Sequence, residues 1–115
     1  MSPANVYARL VAIFPDFAGH WESPSNCFRE DDGTFSLWGL FAEFSAYFRL
    51  HFASFSPSIL ATLAEFIDEC MASPNTDIDI AAATCFLENL AGHDSGAGLR
   101  PFLGQVAQGF LAQYV

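Results

Sequence analysis

The sequence contains no lysine. Four arginines against 13 aspartates and glutamates leave a formal net charge of −9. Such a chain repels nucleic acid and anionic membrane surfaces and attracts basic proteins, with encounter rates that fall as salt rises. Neither nucleic acid nor a membrane is therefore expected as a partner. The three cysteines, Cys27, Cys70 and Cys85, are odd in number and lack CxxC spacing, which suits a reducing compartment and not a disulfide framework. His20, His51 and His93 stand apart from one another and from the cysteines, so no metal or other cofactor is expected.

Motifs of catalysis are missing as well. Gly96-Ala97-Gly98 has neither a preceding strand nor a lysine, so it is no phosphate cradle. No nucleophile motif frames any cysteine, and the carboxylates fall on helix edges and in loops, where solvent keeps them ordinary. No catalytic residue is nominated, and the chain reads as a non-enzyme. The longest apolar stretch is interrupted by Glu43, Arg49 and His51, which argues against a membrane span. The opening MSPANVYARL has no apolar core of the signal-peptide kind, so a cytoplasmic location is expected.

What is abundant is apolar surface. Hydrophobic residues make up 52% of the chain, with 13 phenylalanines, and each fully buried phenylalanine contributes about 1.5–3 kcal/mol. Residues 1–115 read as a single helical domain with a sizeable core. Surplus phenylalanine leaves room for an uncovered patch, and with it a homodimer.

The stretch SLWGLFAEFSAYFRLHFASF, Ser36 to Phe55, is expected to form the central helix. Leu37, Phe41, Phe44, Phe48, Phe52 and Phe55 recur at spacings of three and four. Gly39, Ala42, Ala46 and Ala53 form a stripe of small residues, and Ser36, Glu43, Tyr47 and Ser54 a narrow polar edge. An earlier helix starts at Ser2-Pro3, with serine as cap and proline in the first turn, and stops at Phe14 before Pro15. Asp16 to Trp21 reads as a short extra turn capped by Asp16. Residues 22–35 show neither helical nor strand periodicity and are expected to be a loop, long enough to suggest a functional role.

After the central helix, Ser56-Pro57 opens an amphipathic helix with Ile59, Leu60, Leu63, Phe66, Ile67, Cys70 and Met71 inward and Ser58, Thr62, Glu65 and Glu69 outward, Asp68 on the flank. The MASPNTD break leads to a buried helix capped by Thr76 or Asp77 and closed at Gly92. Residues 93–98 are expected to be loop. A last helix is expected to begin near Leu99-Arg100-Pro101, with Leu99, Leu103, Val106 and Phe110 inward, Gln105, Gln108 and Gln113 outward, and Gly104 and Gly109 in its interior. The expected fold is all-α: about five helices bundled around a central aromatic helix, the C-terminal half having the length and alanine content of one HEAT-like pair.

Candidate partner-binding residues follow from charge and aromaticity. Glu30, Asp31 and Asp32 concentrate negative charge in the long loop beside Trp21 and Phe28, which are aromatic anchors in this reading. Glu65, Asp68 and Glu69 supplement them from the amphipathic helix. Glu88 and Asn89 are expected to serve structure, satisfying backbone groups at a helix end.

The order of FPDFAGHW, an acidic loop, SLWGLFAEFSAYF, a helix ending FIDECM, and IAAATCFLENL followed by LRPFLG resembles small bacterial proteins of the immunity type found in polymorphic toxin systems. The Leu-Glu-Asn signature stands here at Leu87, Glu88 and Asn89. The resemblance implies a non-enzymatic immunity protein that binds and neutralises a cognate toxin made by the same cell. An acidic plug in the substrate cleft of a basic toxin would suit that role. A non-catalytic interaction scaffold or homodimeric adaptor is the alternative. Binding through apolar helix faces with little response to salt would favour it.

Overall fold

The computed structural model describes residues 2–113 and is all-α. Its helices are α1 (Pro3–Ile13), α2 (Phe17–Trp21), α3 (Leu37–His51), α4 (Pro57–Met71), α5 (Thr76–Ile80), α6 (Glu88–Leu90), α7 (Asp94–Leu99) and α8 (Gln105–Ala112). Short 3-10 turns at Phe52–Ser54 and Arg100–Phe102 extend α3 and α7. A π-helical segment, Ala81–Leu87, joins α5 to α6 without leaving helical dihedrals, so the three form one rod. Among the described residues the only β pairing is an isolated antiparallel bridge between Arg29 and Phe35.

Local chemistry explains most starts and stops. The Ser2 hydroxyl accepts from the Asn5 amide and Asn5 answers from its side chain, a reciprocal cap with Pro3 in the first turn. Ser36 and Ser56 cap α3 and α4 in the same manner, through the amides of Gly39 and Ile59. The cap of α5 is Asn75, not Thr76 or Asp77; its short amide side chain reaches the Asp77 N–H. Asp16 has helical dihedrals and makes no capping bond to α2.

The core forms one connected cluster running from Val6 to Leu111. Phe41, Phe44 and Phe48 of α3 are fully buried, and Phe86 of the π segment lies among them with ring centroids 5.3 Å from Phe44 and 5.6 Å from Phe48. The rod is wrapped by α3, α4 and α8, which is why Ala81, Ala82 and Ala83 are all buried and its sequence is apolar nearly all round.

Two features of α3 depart from the helical wheel. Tyr47, expected at the polar edge, is buried against Phe14, Phe17 and Phe44, because α1 and α2 cover that side. Ala46 and Ala53 are exposed, so the small-residue stripe has a packing role only at its start. There Gly39 admits Phe28, whose Cβ would lie 2.9 Å from any Cβ added at residue 39.

The C-terminal region corrects the sequence reading most. Residues 94–98, expected as loop, fall within α7 (Asp94–Leu99), capped by His93, whose Nδ1 accepts from the Ser95 amide. Gly92 provides the preceding turn with φ +76°. Gly104 lies outside the final helix as its N-cap, and Val106 is 73% exposed while Ala107 and Leu111 point inward. Gln108, expected to face out, is half-buried and donates to the carbonyls of Arg100 and Leu103.

Candidate protein-binding surface

The long connection between α2 and α3 is built as a small hairpin. Asn26 is buried, donating to the Trp21 carbonyl at 2.7 Å and accepting from the Phe28 amide at 3.0 Å, which fixes where the chain leaves α2. Arg29 then pairs with Phe35, and its guanidinium donates to the Glu22 carbonyl. The tip closes with the Glu30 amide donating to the Thr34 carbonyl and the Gly33 amide to the Glu30 carbonyl, both at 2.9 Å. Gly33 has φ +86°, a conformation that favours glycine.

This construction places Glu30, Asp31 and Asp32 together on an exposed tip. Asp32 accepts from both the amide and the hydroxyl of Thr34, at 2.9 and 2.7 Å. Those bonds hold its carboxyl below the usual carboxylate range, the hydroxyl contributing most. The tip is thus charged and ordered, and the carboxylates border a hollow with Ser23, Pro24 and Arg29.

The two aromatic anchors separate. Trp21 is core, 3% exposed, with its ring against Tyr7, Phe17 and Phe35. A side chain so enclosed is unavailable to a partner, and it roots the hairpin instead. Phe28 is 40% exposed and lies over Gly39, presenting one face to solvent beside the hairpin.

On α4 the three carboxylates do different things. Glu69 pairs with Arg9 of α1 at 2.7 Å, and the same guanidinium sits 4.6 Å from the centroid of the Phe66 ring. Glu65 is exposed along the same groove, lined also by Ala12, Ile13 and Thr62. Asp68 points the other way, both oxygens accepting from the Gly104 amide at 3.0 and 2.9 Å. It satisfies the N–H of the N-cap residue of α8 from a neighbouring helix, so its place is structural. The hairpin acids and the α4 acids line different hollows.

A family profile described as a domain of unknown function (DUF7674) matches residues 7–115. The chain belongs to the DUF7674 family. No curated protein and no solved structure matches it. In this DUF7674 chain the Leu-Glu-Asn signature has a visible structural task. Asn89 donates to the Ser45 hydroxyl and the Cys85 carbonyl, and its own carbonyl accepts from Arg49, which bolts α6 to α3.

Among the described residues no group of histidine, cysteine and carboxylate side chains has the arrangement of a metal site, and no helix is long and apolar enough to cross a membrane. Cys70 is buried, which pushes its thiol up to about 12, and Cys85 is raised for the same reason. Cys27 alone is exposed. Sequence reasoning missed a pairing between His20 and Glu43 at 2.7 Å, which joins α2 to α3. Twenty-three positions separate the two, and no local periodicity connects them.

Proposed function

We propose that this DUF7674 chain is a non-enzymatic, immunity-type inhibitor that binds a basic toxin through an acidic surface centred on the hairpin tip. The observation that carries the reading is the ordered presentation of Glu30, Asp31 and Asp32: a turn closed by backbone hydrogen bonds, a glycine with φ +86° and a clamped Asp32. Preorganised charge lowers the ordering cost of association and steers encounter with a surface of opposite sign. The formal net charge of −9 adds long-range attraction to the same partner.

Phe28 is the apolar contact beside that tip, and Glu65 with Glu69 forms a second, weaker patch because Arg9 already neutralises Glu69. The identity of the partner as a toxin rests on the resemblance carried by IAAATCFLENL and its neighbouring segments. A cytoplasmic place of action follows from the same reading.

The test is co-expression with the product of the adjacent open reading frame. The expected results are toxicity of that product alone, rescue of growth by this chain and a stable complex on gel filtration. Absence of both rescue and complex would end the inhibitor reading. One observation favours a second reading, that of scaffold or homodimer: Leu50 and Val106 are 72% and 73% exposed, and Trp38 44%. A complex that ignores salt and is lost on Val106→Asp or Leu50→Asp would support it.

A further inference from the structure

Outside the acidic hairpin, basic side chains gather at one place. The sequence has four arginines and three histidines, and three of these seven, His20, Arg49 and His93, line one shallow hollow of about 460 Å³ together with Ala46 and Leu50. They arrive from three elements: His20 from α2, Arg49 from α3, and His93 from the cap of α7. Two of the other arginines are already engaged, Arg9 with Glu69 and Arg29 with the Glu22 carbonyl.

All three groups are held in place, and Arg49 and His93 retain donor capacity. His93 Nδ1 accepts from the Ser95 amide at 3.0 Å, so in the neutral ring the proton sits on Nε2, which has no partner among the described residues. Arg49 spends one N–H on the Asn89 carbonyl at 3.2 Å and has no carboxylate within ion-pair distance among the described residues. His20 is anchored by Glu43 at 2.7 Å and stacked on Phe17, and Glu43 is thereby turned onto the imidazole. Beside these donors Leu50 is 72% exposed and forms an apolar wall with Ala46.

We infer that this hollow binds a phosphate group, and that a phosphate monoester with a small apolar substituent is preferred to free phosphate. Open donors from two elements, Arg49 of α3 and His93 at the cap of α7, suit an anion with several oxygens, and a guanidinium without a carboxylate partner is the side chain best matched to it. The apolar wall distinguishes the ester from the free ion, since only the ester covers Leu50. The site is separate from the proposed toxin-binding hairpin and does not depend on it.

The experiment is NMR titration of the isotopically labelled chain with inorganic phosphate and, separately, with phenyl phosphate, at constant ionic strength set by sodium chloride. Saturable shifts are expected at the Arg49 guanidinium and the His20 and His93 rings, with phenyl phosphate binding at least threefold tighter. Arg49→Ala should weaken both ligands at least tenfold, and Leu50→Ser should remove the preference for phenyl phosphate while keeping phosphate binding. Leu50 is exposed, so that variant tests the wall even if Arg49→Ala compromises folding. Asp31→Lys with Asp32→Lys should leave both affinities unchanged, which separates this result from that of the hairpin. Shifts that do not saturate, shifts of equal size at Arg9 and Arg29, or unchanged binding in a folded Arg49→Ala would overturn the inference.

Discussion

Replacing Asp68 by alanine should weaken the fold and leave partner binding intact, the reverse of what an exposed acidic contact would do. Both Asp68 oxygens lie within 3.0 Å of the Gly104 amide, the N-cap position of α8. The bond occupies the N-cap residue's own N–H, the donor that the returning side chain of a capping box satisfies, and the carboxylate faces the positive end of the helix dipole. Loss of a capping side chain costs typically about 1 kcal/mol, up to about 2. The half-buried position favours the upper part of that range. For a domain of this size each kcal/mol lowers Tm by roughly 4 °C.

Urea denaturation followed by circular dichroism measures the loss, and amide exchange locates it. Protection should fall first in α8, where Ala107 and Leu111 are the buried residues. Asp68→Asn keeps one acceptor oxygen and should retain part of the stability, whereas Glu65→Ala, exposed on the same helix, should stay within about 0.5 kcal/mol of the parent. An Asp68→Ala protein as stable as the parent, with α8 equally protected, would refute the capping role and return Asp68 to the set of surface contacts.

Other perturbations give similarly distinct outcomes. Gly96→Ala should prevent α7 from packing, because an added Cβ would collide with the Leu90 carbonyl; loss of a cooperative thermal transition is the expected reading. Gly109→Ala meets nothing within 4 Å in α8 and should raise stability by about 0.4–1 kcal/mol in the same urea assay. Alkylation at pH 8 monitored by mass spectrometry should label Cys27 quickly and Cys70 only on unfolding, since burial raises the Cys70 thiol to about 12. The same shift has a consequence for stability: the folded state holds the Cys70 proton more tightly than the unfolded chain, so this contribution is complete below about pH 9 and declines as pH rises toward 12. Denaturation midpoints measured at pH 7 and pH 10 should therefore differ less in Cys70→Ala than in the parent.

Much of the fold was legible because its signals are local. Ser-Pro starts, the stop at Pro15 and the three-four spacing of Leu37, Phe41, Phe44 and Phe48 act within a few residues, and the helices they mark are α1, α3 and α4. Where tertiary contacts decide, the pattern misled. Tyr47 is polar by type but lies under α1 and α2, and Val106 is apolar by type yet faces solvent because α8 begins only after Gly104. α7 was hidden by four small residues in six, a composition that reads as loop until the close approach of Gly96 to Leu90 is seen.

The candidate surface divides in the same manner. Glu30, Asp31 and Asp32 were visible as a charge run next to Gly33, but the hairpin that orders them depends on Arg29 meeting Phe35 and Thr34 clamping Asp32. Trp21 looked like an anchor because tryptophan is common at interfaces, whereas Tyr7 and Phe35 enclose it. Asp68 and Glu69 are neighbours in sequence and point to different elements, a difference set by which helices pack on each side of α4.

The proposed role stands on charge presented by an ordered tip, and association kinetics test it most directly. Binding of this chain to the purified product of the adjacent reading frame should be measured by stopped flow from low to high sodium chloride, for the parent and for the Asp31→Lys and Asp32→Lys double variant. The association rate of the parent should fall steeply with salt, and the variant should associate more slowly at low salt with a flatter dependence. Equal rates and equal salt slopes for the two proteins, or no binding by either, would contradict the proposal.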